Sequence, residues 1–398
     1  MQRYLFKRQL SNENLTENGF KNLLLFLNIT FRSCIFKIYL NYFLRTINYH
    51  VIGVMSGTSL DGIDLAEINF SLLNDSTWDY EILNTETVSY PKNWKVSLQN
   101  AVIYSESEVS ILNIKYTQFL ASIISRFIDK YQIKKINAVC NHGHTIWHQP
   151  QKGITLQIGN LPELADLIKQ NVVCDFRLQD VKLGGNGAPL VPIGDRLLFN
   201  DYDYCLNLGG FANISYEEKK LRIAYDICPV NVVMNNIAEK LGKSYDKDGN
   251  IAAKGNLIMD LLSQLNKLSY YQKSAPKSLG LEWVHKNIQP LLEKNKETPR
   301  DILNTFVEHI AIQLSSQFKK NTTVLITGGG AYNKYLIKRL KFHSEIKIVI
   351  PSPKIIEFKE AIIFGFLGVL RLRGENNCLS SVTGAKKDHS SGTIFKIK

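Results

Sequence analysis

The chain has 398 residues, 44% of them hydrophobic and 21% charged, a balance that supports a sizeable core and excludes disordered, collagen-like and coiled-coil classes. That length sets an expectation of two or three domains. The formal charge is +12 and uneven: residues 1–48 hold seven Lys and Arg against two Glu, a net +5, which leaves +7 on the remainder.

Residues 1–48 contain one short apolar run, Leu23 to Leu27, before Asn28, Arg32 and Lys37 interrupt. Nothing there reaches the ~20 apolar residues of a membrane span. As a secretory signal its polar lead is too long and no small-x-small cleavage site follows. A basic amphipathic surface helix is the competing reading. The preferred reading is an extension outside the fold, rich in Asn, Lys, Ile and Leu, with no Met between Met1 and Met55. No membrane association is expected. The six cysteines, Cys34, Cys140, Cys174, Cys205, Cys228 and Cys378, form no CxxC, which fits a reducing cytoplasm rather than a disulfide framework. No block of five Lys or Arg and no recognised nucleic-acid motif occurs, so nucleic acid is not an expected partner.

Along the chain, Tyr49–Met55 reads as a strand and Ile63–Phe70 as its successor. Between them lies Gly57-Thr58-Ser59-Leu60-Asp61-Gly62-Ile63-Asp64, whose glycines and hydroxyls suit backbone contact with an anion. It lacks the lysine of a P-loop. An ordinary Asp-Gly hairpin turn is the competing reading. Residues 108–131 predict a helix, and Ile136–Cys140 a short strand ending in Asn141-His142-Gly143-His144-Thr145-Ile146-Trp147-His148. Three histidines in seven residues suggest zinc, but no spaced carboxylate or cysteine completes a set, so polar ligand contacts are the preferred reading. A helix at Leu161–Lys169 and a strand at Asn171–Cys174 lead to Asp175-Phe176-Arg177, Asp180 and the loop Gly184-Gly185-Asn186-Gly187-Ala188-Pro189. That loop permits close backbone approach to a ligand, or is a long flexible connection.

Tyr204–Leu208 and Phe211–Tyr216 predict a strand pair around Gly209-Gly210. The strand Leu221–Tyr225 ends at Asp226, followed by a helix at Asn231–Leu241. A carboxylate there can be a general base or a helix cap. A long helix at 299–319 precedes the strand Thr323–Thr327, which runs into Gly328-Gly329-Gly330-Ala331 and a helix at Asn333–Leu340. The strand Ile346–Ile350 and an apolar helix at 358–373 complete the pattern. Strands alternating with helices give an α/β chain, in which ligands gather where strands end.

Taken together these segments resemble the anhydro-N-acetylmuramic acid kinases, within the actin, sugar kinase and Hsp70 ATPase superfamily. The resemblance rests first on Ile52-Gly53-Val54-Met55-Ser56-Gly57-Thr58-Ser59-Leu60-Asp61-Gly62. It continues through His142-Gly143 with Thr145 and His148, Thr155 to Gly159, Asp175-Phe176-Arg177, Gly184 to Leu190 and Asn207 to Asn213. Further matches are Tyr245 to Asp248, Pro276-Lys277-Ser278 with Gly280 and Glu282, Gly328 to Ala331 with Asn333, and Ser381 to Ala385.

The resemblance implies two actin-like (ribonuclease H-like) α/β domains, each with a mixed five-stranded sheet, around a nucleotide cleft. Residues 49–200 with 356–398 would form the first and 201–355 the second. It implies ATP- and Mg2+-dependent hydrolytic opening and 6-phosphorylation of 1,6-anhydro-N-acetylmuramic acid, in cytoplasmic peptidoglycan recycling. A homodimer is implied by the resemblance alone. Asp226 would be the base for the attacking water, with Glu360 supporting it. Gly57 to Asp64, Gly209, Gly210, Gly328, Gly329, Gly330 and Asn333 would hold nucleotide, with Asp61 at the metal. His142, His144, Asp175, Arg177, Asp180, Gly187, Ala188 and Pro189 would line the sugar site, Arg177 pairing with the lactyl carboxylate.

Two departures stand out. His144 replaces a family Gln and would titrate near neutral pH. Asp226-Ile227-Cys228-Pro229-Val230-Asn231 replaces Asp-Thr-Gly-Pro-Gly-Asn, losing a hydroxyl and two glycines. A sugar kinase acting on a free hydroxyl and a non-catalytic nucleotide or muropeptide sensor are the competing expectations.

Overall fold

The computed structural model describes residues 46–73 and 77–397. The expectation for residues 1–48 therefore falls almost wholly outside the described residues. By contacts the chain divides into a small unit, Met1–Asn48 with Ser71–Asp79, and a large one, Tyr49–Phe70 with Tyr80–Lys398. The described part of the small unit is a set of strand ends, in which the Ser71 hydroxyl donates to Asn48 Oδ1 at 2.7 Å. The large unit carries the two cores and every candidate site residue.

In chain order the elements begin with strands β1 (Ile47–Ser56), β2 (Ile63–Leu73) and β3 (Thr77–Val88), then helices α1 (Lys92–Asn100) and α2 (Glu106–Lys130). Next come β4 (Ala138–Gln149), β5 (Ile154–Ile158), α3 (Glu163–Ile168), β6 (Val172–Cys174), α4 (Leu178–Lys182) and α5 (Pro192–Leu198). The middle of the chain forms β7 (Tyr204–Leu208), β8 (Phe211–Glu218), β9 (Leu221–Pro229), α6 (Asn231–Glu239), α7 (Met259–Asn266), α8 (Leu281–Asn287), α9 (Gln289–Lys294) and α10 (Pro299–Ser315). It closes with β10 (Thr323–Thr327), α11 (Lys334–His343), β11 (Lys347–Val349), α12 (Pro353–Arg373), α13 (Ser380–Thr383) and β12 (Thr393–Phe395).

Two mixed sheets result. One runs β12-β6-β4-β1-β2-β3, with β5 on β4, and so has seven strands rather than five. The other runs β11-β10-β7-β8-β9. In the first, β1, β4 and β6 are parallel, while β5 and β12 join antiparallel. In the second, β11, β10 and β7 are parallel, and β8 and β9 return antiparallel.

Each sheet has its own core. Helix α2 starts where Ser105 and Glu108 form a reciprocal capping box, satisfying two of the helix's free N–H groups. Its buried residues Val109, Leu112, Tyr116, Leu120, Ile124 and Phe127 recur at helical spacing and pack against Ile52, Val54, Ile63 and Leu65 of the first sheet. The second core joins Leu206, Leu208, Ile214, Val324 and Ile326 to Phe306, Val307, Ile310 and Leu314 of α10.

Helix α12 packs against both sheets. Its Ile356 belongs to the second core, and its Phe366 meets Phe70 of the first sheet at 5.2 Å between ring centroids. It can lie this close because β1 carries Gly53: a Cβ there would stand 1.9 Å from the Ala361 carbonyl oxygen. At the crossing, the buried Lys359 ammonium lies 2.7 Å from Asp195 Oδ1. Arg222, also buried, donates to Ser215 Oγ at 2.7 Å, and Ser215 donates in turn to Asp195.

Several elements differ from the sequence reading. β4 does not stop at Cys140 but continues to Gln149, so the three histidines lie within a strand. β9 does not stop at Tyr225 but carries Asp226 within it as far as Pro229, with a register shift opposite Ala212/Asn213. Strands β3, β5 and β12 are additions that the sequence reading does not include. Among the described residues, no helix is long and apolar enough to cross a membrane.

Candidate active site

The turn between β1 and β2 supplies the first wall. The Leu60 N–H bonds the Gly57 carbonyl at 3.3 Å, and Leu60 takes a positive φ of 59°. The half-buried Asp64 accepts from Thr87 Oγ1 at 2.6 Å. Burial holds the Asp64 carboxyl above its ordinary range; the Thr87 bond opposes this, and Asp61 and Glu357 add to it.

Helix α12 brings Glu360 to the same place. Glu360 keeps contact with solvent, but surrounding protein raises its carboxyl; Arg177 opposes the rise and Asp64 reinforces it. Asp64 is thus coupled to the carboxylates of Asp61, Glu357 and Glu360. Carboxylate oxygens suit a hard cation such as Mg2+ rather than zinc, but among the described residues these four do not converge closely enough to form a ready ligand set.

The second wall comes from within β4 and from the residues that follow β6. His142 is buried; its Nδ1 lies 2.7 Å from the Gly143 carbonyl, and its Nε2 accepts from Arg177 Nε at 2.9 Å. Burial and the neighbouring Arg177 push its pKa well below the usual histidine value, so it is neutral with the proton on Nδ1. Arg177 Nη1 donates to the Gly187 carbonyl at 2.7 Å, which ties the Gly184–Pro189 loop to β4. These bonds use Nε and Nη1, and Nη2 is the donor that remains for a ligand. Asp175, at a positive φ of 57°, accepts from Asn160 Nδ2 at 3.0 Å, and burial raises its carboxyl. Asn160 also receives a bond from Asn141 Nδ2 at 2.8 Å. The sequence reading does not single out Asn160, although it directly follows the Thr155–Gly159 motif.

The second sheet and its loops contribute glycines and Asp226. Gly328 ends β10 at φ 80°, and a Cβ there would lie 2.6 Å from Asn207 Oδ1 and 2.8 Å from the Leu208 carbonyl. Only glycine suits both constraints. Asn231, at the start of α6, donates to the Leu208 carbonyl at 3.1 Å, and its N–H bonds the Gly209 carbonyl at 3.3 Å. Gly209, Gly210, Gly328 and Gly329 therefore gather around Asn207 and Asn231.

Asp226 Oδ2 accepts the Leu279 N–H at 2.9 Å, which leaves Oδ1 to take a proton. The Asp226 backbone is fixed from both sides: Tyr270 donates to its carbonyl at 2.7 Å, and its N–H bonds the Lys277 carbonyl at 3.2 Å. Burial raises the carboxyl, and the Leu279 bond partly offsets that. The replacements that follow it are absorbed by packing: Ile227, Cys228 and Val230 are buried members of the second core. Val230 has a negative φ of −128°, outside the left-handed region that would call for glycine.

Several expectations are corrected. His144 is buried, with Nδ1 2.9 Å from Ser56 Oγ and the rings of Tyr90 and Tyr116 beside it. Burial pushes its pKa down to about 4, so it does not titrate near neutral pH, and its bonds serve the core of the first sheet. Asp180 has no exposed surface and faces inward. It accepts from Gly187 N at 2.7 Å and Thr383 Oγ1 at 2.7 Å, shaping the Gly184–Pro189 loop from behind. Asn333 is the N-cap of α11, accepting from Leu336 N at 2.9 Å. The three histidines do not converge: His142 faces Arg177, His144 faces Ser56, and His148 Nδ1 lies 3.1 Å from Thr155 Oγ1.

The chain also matches known proteins over most of its length. The model of the anhydro-N-acetylmuramic acid kinase family matches residues 49–397. An anhydro-N-acetylmuramic acid kinase of Sulfurimonas denitrificans is 35% identical over 369 residues, covering 87% of this chain and 99% of its own length. Those of Mannheimia succiniciproducens and Francisella tularensis subsp. novicida are 34% and 33% identical, each covering 87% of this chain and 98% of its own. A solved xylulose kinase from Lactobacillus acidophilus superposes with a TM-score of 0.40 at 12% identity, over 88% of this chain and 94% of that one.

Proposed function

The chain belongs to the anhydro-N-acetylmuramic acid kinase family and is an enzyme of that kinase class, and from that premise we propose that it opens and phosphorylates 1,6-anhydro-N-acetylmuramic acid. The bicyclic sugar has no free 6-hydroxyl, so phosphorylation must be coupled to ring opening. A water oxygen bonds to C1 as the C1–O6 bond breaks. O6 takes the γ-phosphoryl group of ATP, the bond to the β-phosphate breaks, and ADP leaves with N-acetylmuramic acid 6-phosphate.

The observation that carries this reading is Asp226. One carboxylate oxygen is anchored by the Leu279 amide, the other is left to take the water proton, and the pKa is raised by burial. Such a base is typically worth ~10²–10⁴-fold. Glu360 orients the water or the sugar from α12. Arg177, with two donors already committed to His142 and Gly187, pairs its remaining Nη2 with the lactyl carboxylate. Gly57 to Asp64 hold the phosphates, and the glycines at 209–210 and 328–330 lie against the nucleotide. Asp61 and Asp64 hold Mg2+, which when bound neutralises charge on the phosphates.

In this reading residues 49–200 with 356–398 form one domain and 201–355 the other, closing around nucleotide in a cytoplasmic, homodimeric enzyme of peptidoglycan recycling. Asp226→Asn should lower kcat by ~10²–10⁴-fold in a coupled ADP-release assay, with sugar binding retained. In labelled water the product should carry label on its C1 hydroxyl. Label in phosphate alone, or preference for N-acetylmuramic acid or N-acetylglucosamine, would sink the coupled reaction. Sugar binding without any ADP release would point to a sensor.

A further inference from the structure

A second cluster of chemistry-bearing groups lies behind the sugar loop. Asp180, Cys378 and His389 are all buried, and one ligand atom from each falls within 4.8 Å of the others. Cys378 and His389 face each other across a two-residue antiparallel bridge, exchanging both backbone bonds at 3.1 and 3.2 Å. That pairing puts their side chains on one face. Asp180 comes from α4, far earlier in the chain.

The tautomer of His389 is the decisive detail. Its Nδ1 lies 3.1 Å from the Lys387 carbonyl, so Nδ1 carries the proton, and Nε2 presents a lone pair. His389 is 4% exposed, and among the described residues Nε2 has no hydrogen-bond partner. It stands 3.6 Å from Asp180 Oδ1, too far for a hydrogen bond. A buried lone pair facing a carboxylate is repelled unless a proton or a metal cation stands between them. Two ligands of one tetrahedral zinc, each at about 2.1 Å, are themselves about 3.4 Å apart. A backbone carbonyl on the other ring nitrogen is also the usual support of a metal-bound histidine.

We propose that Asp180, Cys378 and His389 bind one zinc-class transition-metal ion, distinct from the Mg2+ of the nucleotide. Thiolate, imidazole and a single carboxylate select zinc or cobalt over magnesium and calcium, with a water in the fourth position. The site fastens the C-terminal segment carrying Cys378 and His389 to the sugar loop, because Asp180 holds the Gly187 N–H through its other oxygen.

The test uses the full chain, purified without a polyhistidine tag, and stripped with a chelator. Titrating Co2+ into it should give about one equivalent bound, with a thiolate-to-cobalt charge-transfer band and the strong ligand-field bands of tetrahedral cobalt. Zn2+ should bleach both and raise Tm in a concentration-dependent way. Cys378→Ser should abolish the charge-transfer band, and His389→Gln should weaken cobalt binding at least tenfold. No thiolate band in the wild-type protein would overturn the proposal, since it would leave His389 as a protonated partner of Asp180. A band that persists unchanged in Cys378→Ser would also overturn it. The wild-type titration decides even if a variant fails to fold.

Discussion

At the scale of single residues, burial decides what the polar groups can do. His144 and Gln are both able to hydrogen-bond, but only His144 carries a proton-linked cost. Its pKa in the folded protein is about 4, against an ordinary 6.5, so the unfolded chain binds more protons between those values. Its neutral form is compatible with the fold in full above pH 6.5, and stability falls as pH drops towards 4. His309 shifts the same way, to about 3, and His142 likewise. Replacing His144 by Gln removes one contribution, worth at most about 3 kcal/mol. Chemical denaturation at pH 7 and pH 4.5 should therefore show a smaller acid loss for His144→Gln than for the parent. An equal loss would mean that His144 is protonated in the fold without strain. Sequence alone cannot reveal this, because the Tyr90 and Tyr116 rings that enclose the imidazole come from elsewhere in the chain. Asp180 is opaque in the sequence for the same reason. Its hydrogen-bonding partner Thr383 is 203 positions away.

At the scale of elements, glycine carries most of what is legible. The Gly57–Asp64 turn and the Gly328–Gly330 loop both stand between strands and their next elements, as their sequences suggest. Strand limits are harder to read. The β4 extension past Cys140 is polar yet buried, and periodicity cannot separate a buried polar strand from a loop. β3 alternates weakly and is mostly half-buried, so no clear period announces it. Two glycines of the first motif separate packing from chemistry. Gly53→Ala would drive a methyl group into the Ala361 carbonyl, pushing α12 and Glu360 away from β1, and should cost about 3 kcal/mol or more. At Gly57 a Cβ would come no nearer than 3.5 Å to Ser59 Oγ, an ordinary contact. Gly57→Ala should fold with a nearly unchanged Tm and lose nucleotide affinity, read as a raised KM for ATP. Equal affinity in Gly57→Ala would remove the turn from the phosphate site.

At the scale of the whole molecule, charge and length meet in the first 45 residues, which lie outside the described structure. β1 begins at Ile47 and the family match at residue 49, so the strand that leads into the Gly57 turn starts after that segment. Residues 1–48 nevertheless carry +5 of the +12 total, and a basic segment can raise the encounter rate of anionic substrates such as ATP and a sugar acid. That effect is screened over about 8–10 Å at ordinary ionic strength, whereas the proposed contacts of Arg177 and the glycine loops would act at hydrogen-bond distance. Local contacts should therefore dominate. Removing residues 1–45 should leave Tm, kcat and both KM values unchanged, and kcat/KM should fall with added salt by the same proportion in the truncated and full chains. A truncated enzyme whose kcat/KM is lower at low salt and converges with the full chain at high salt would assign the segment a steering role. A loss of kcat at every salt concentration would make it part of the working enzyme.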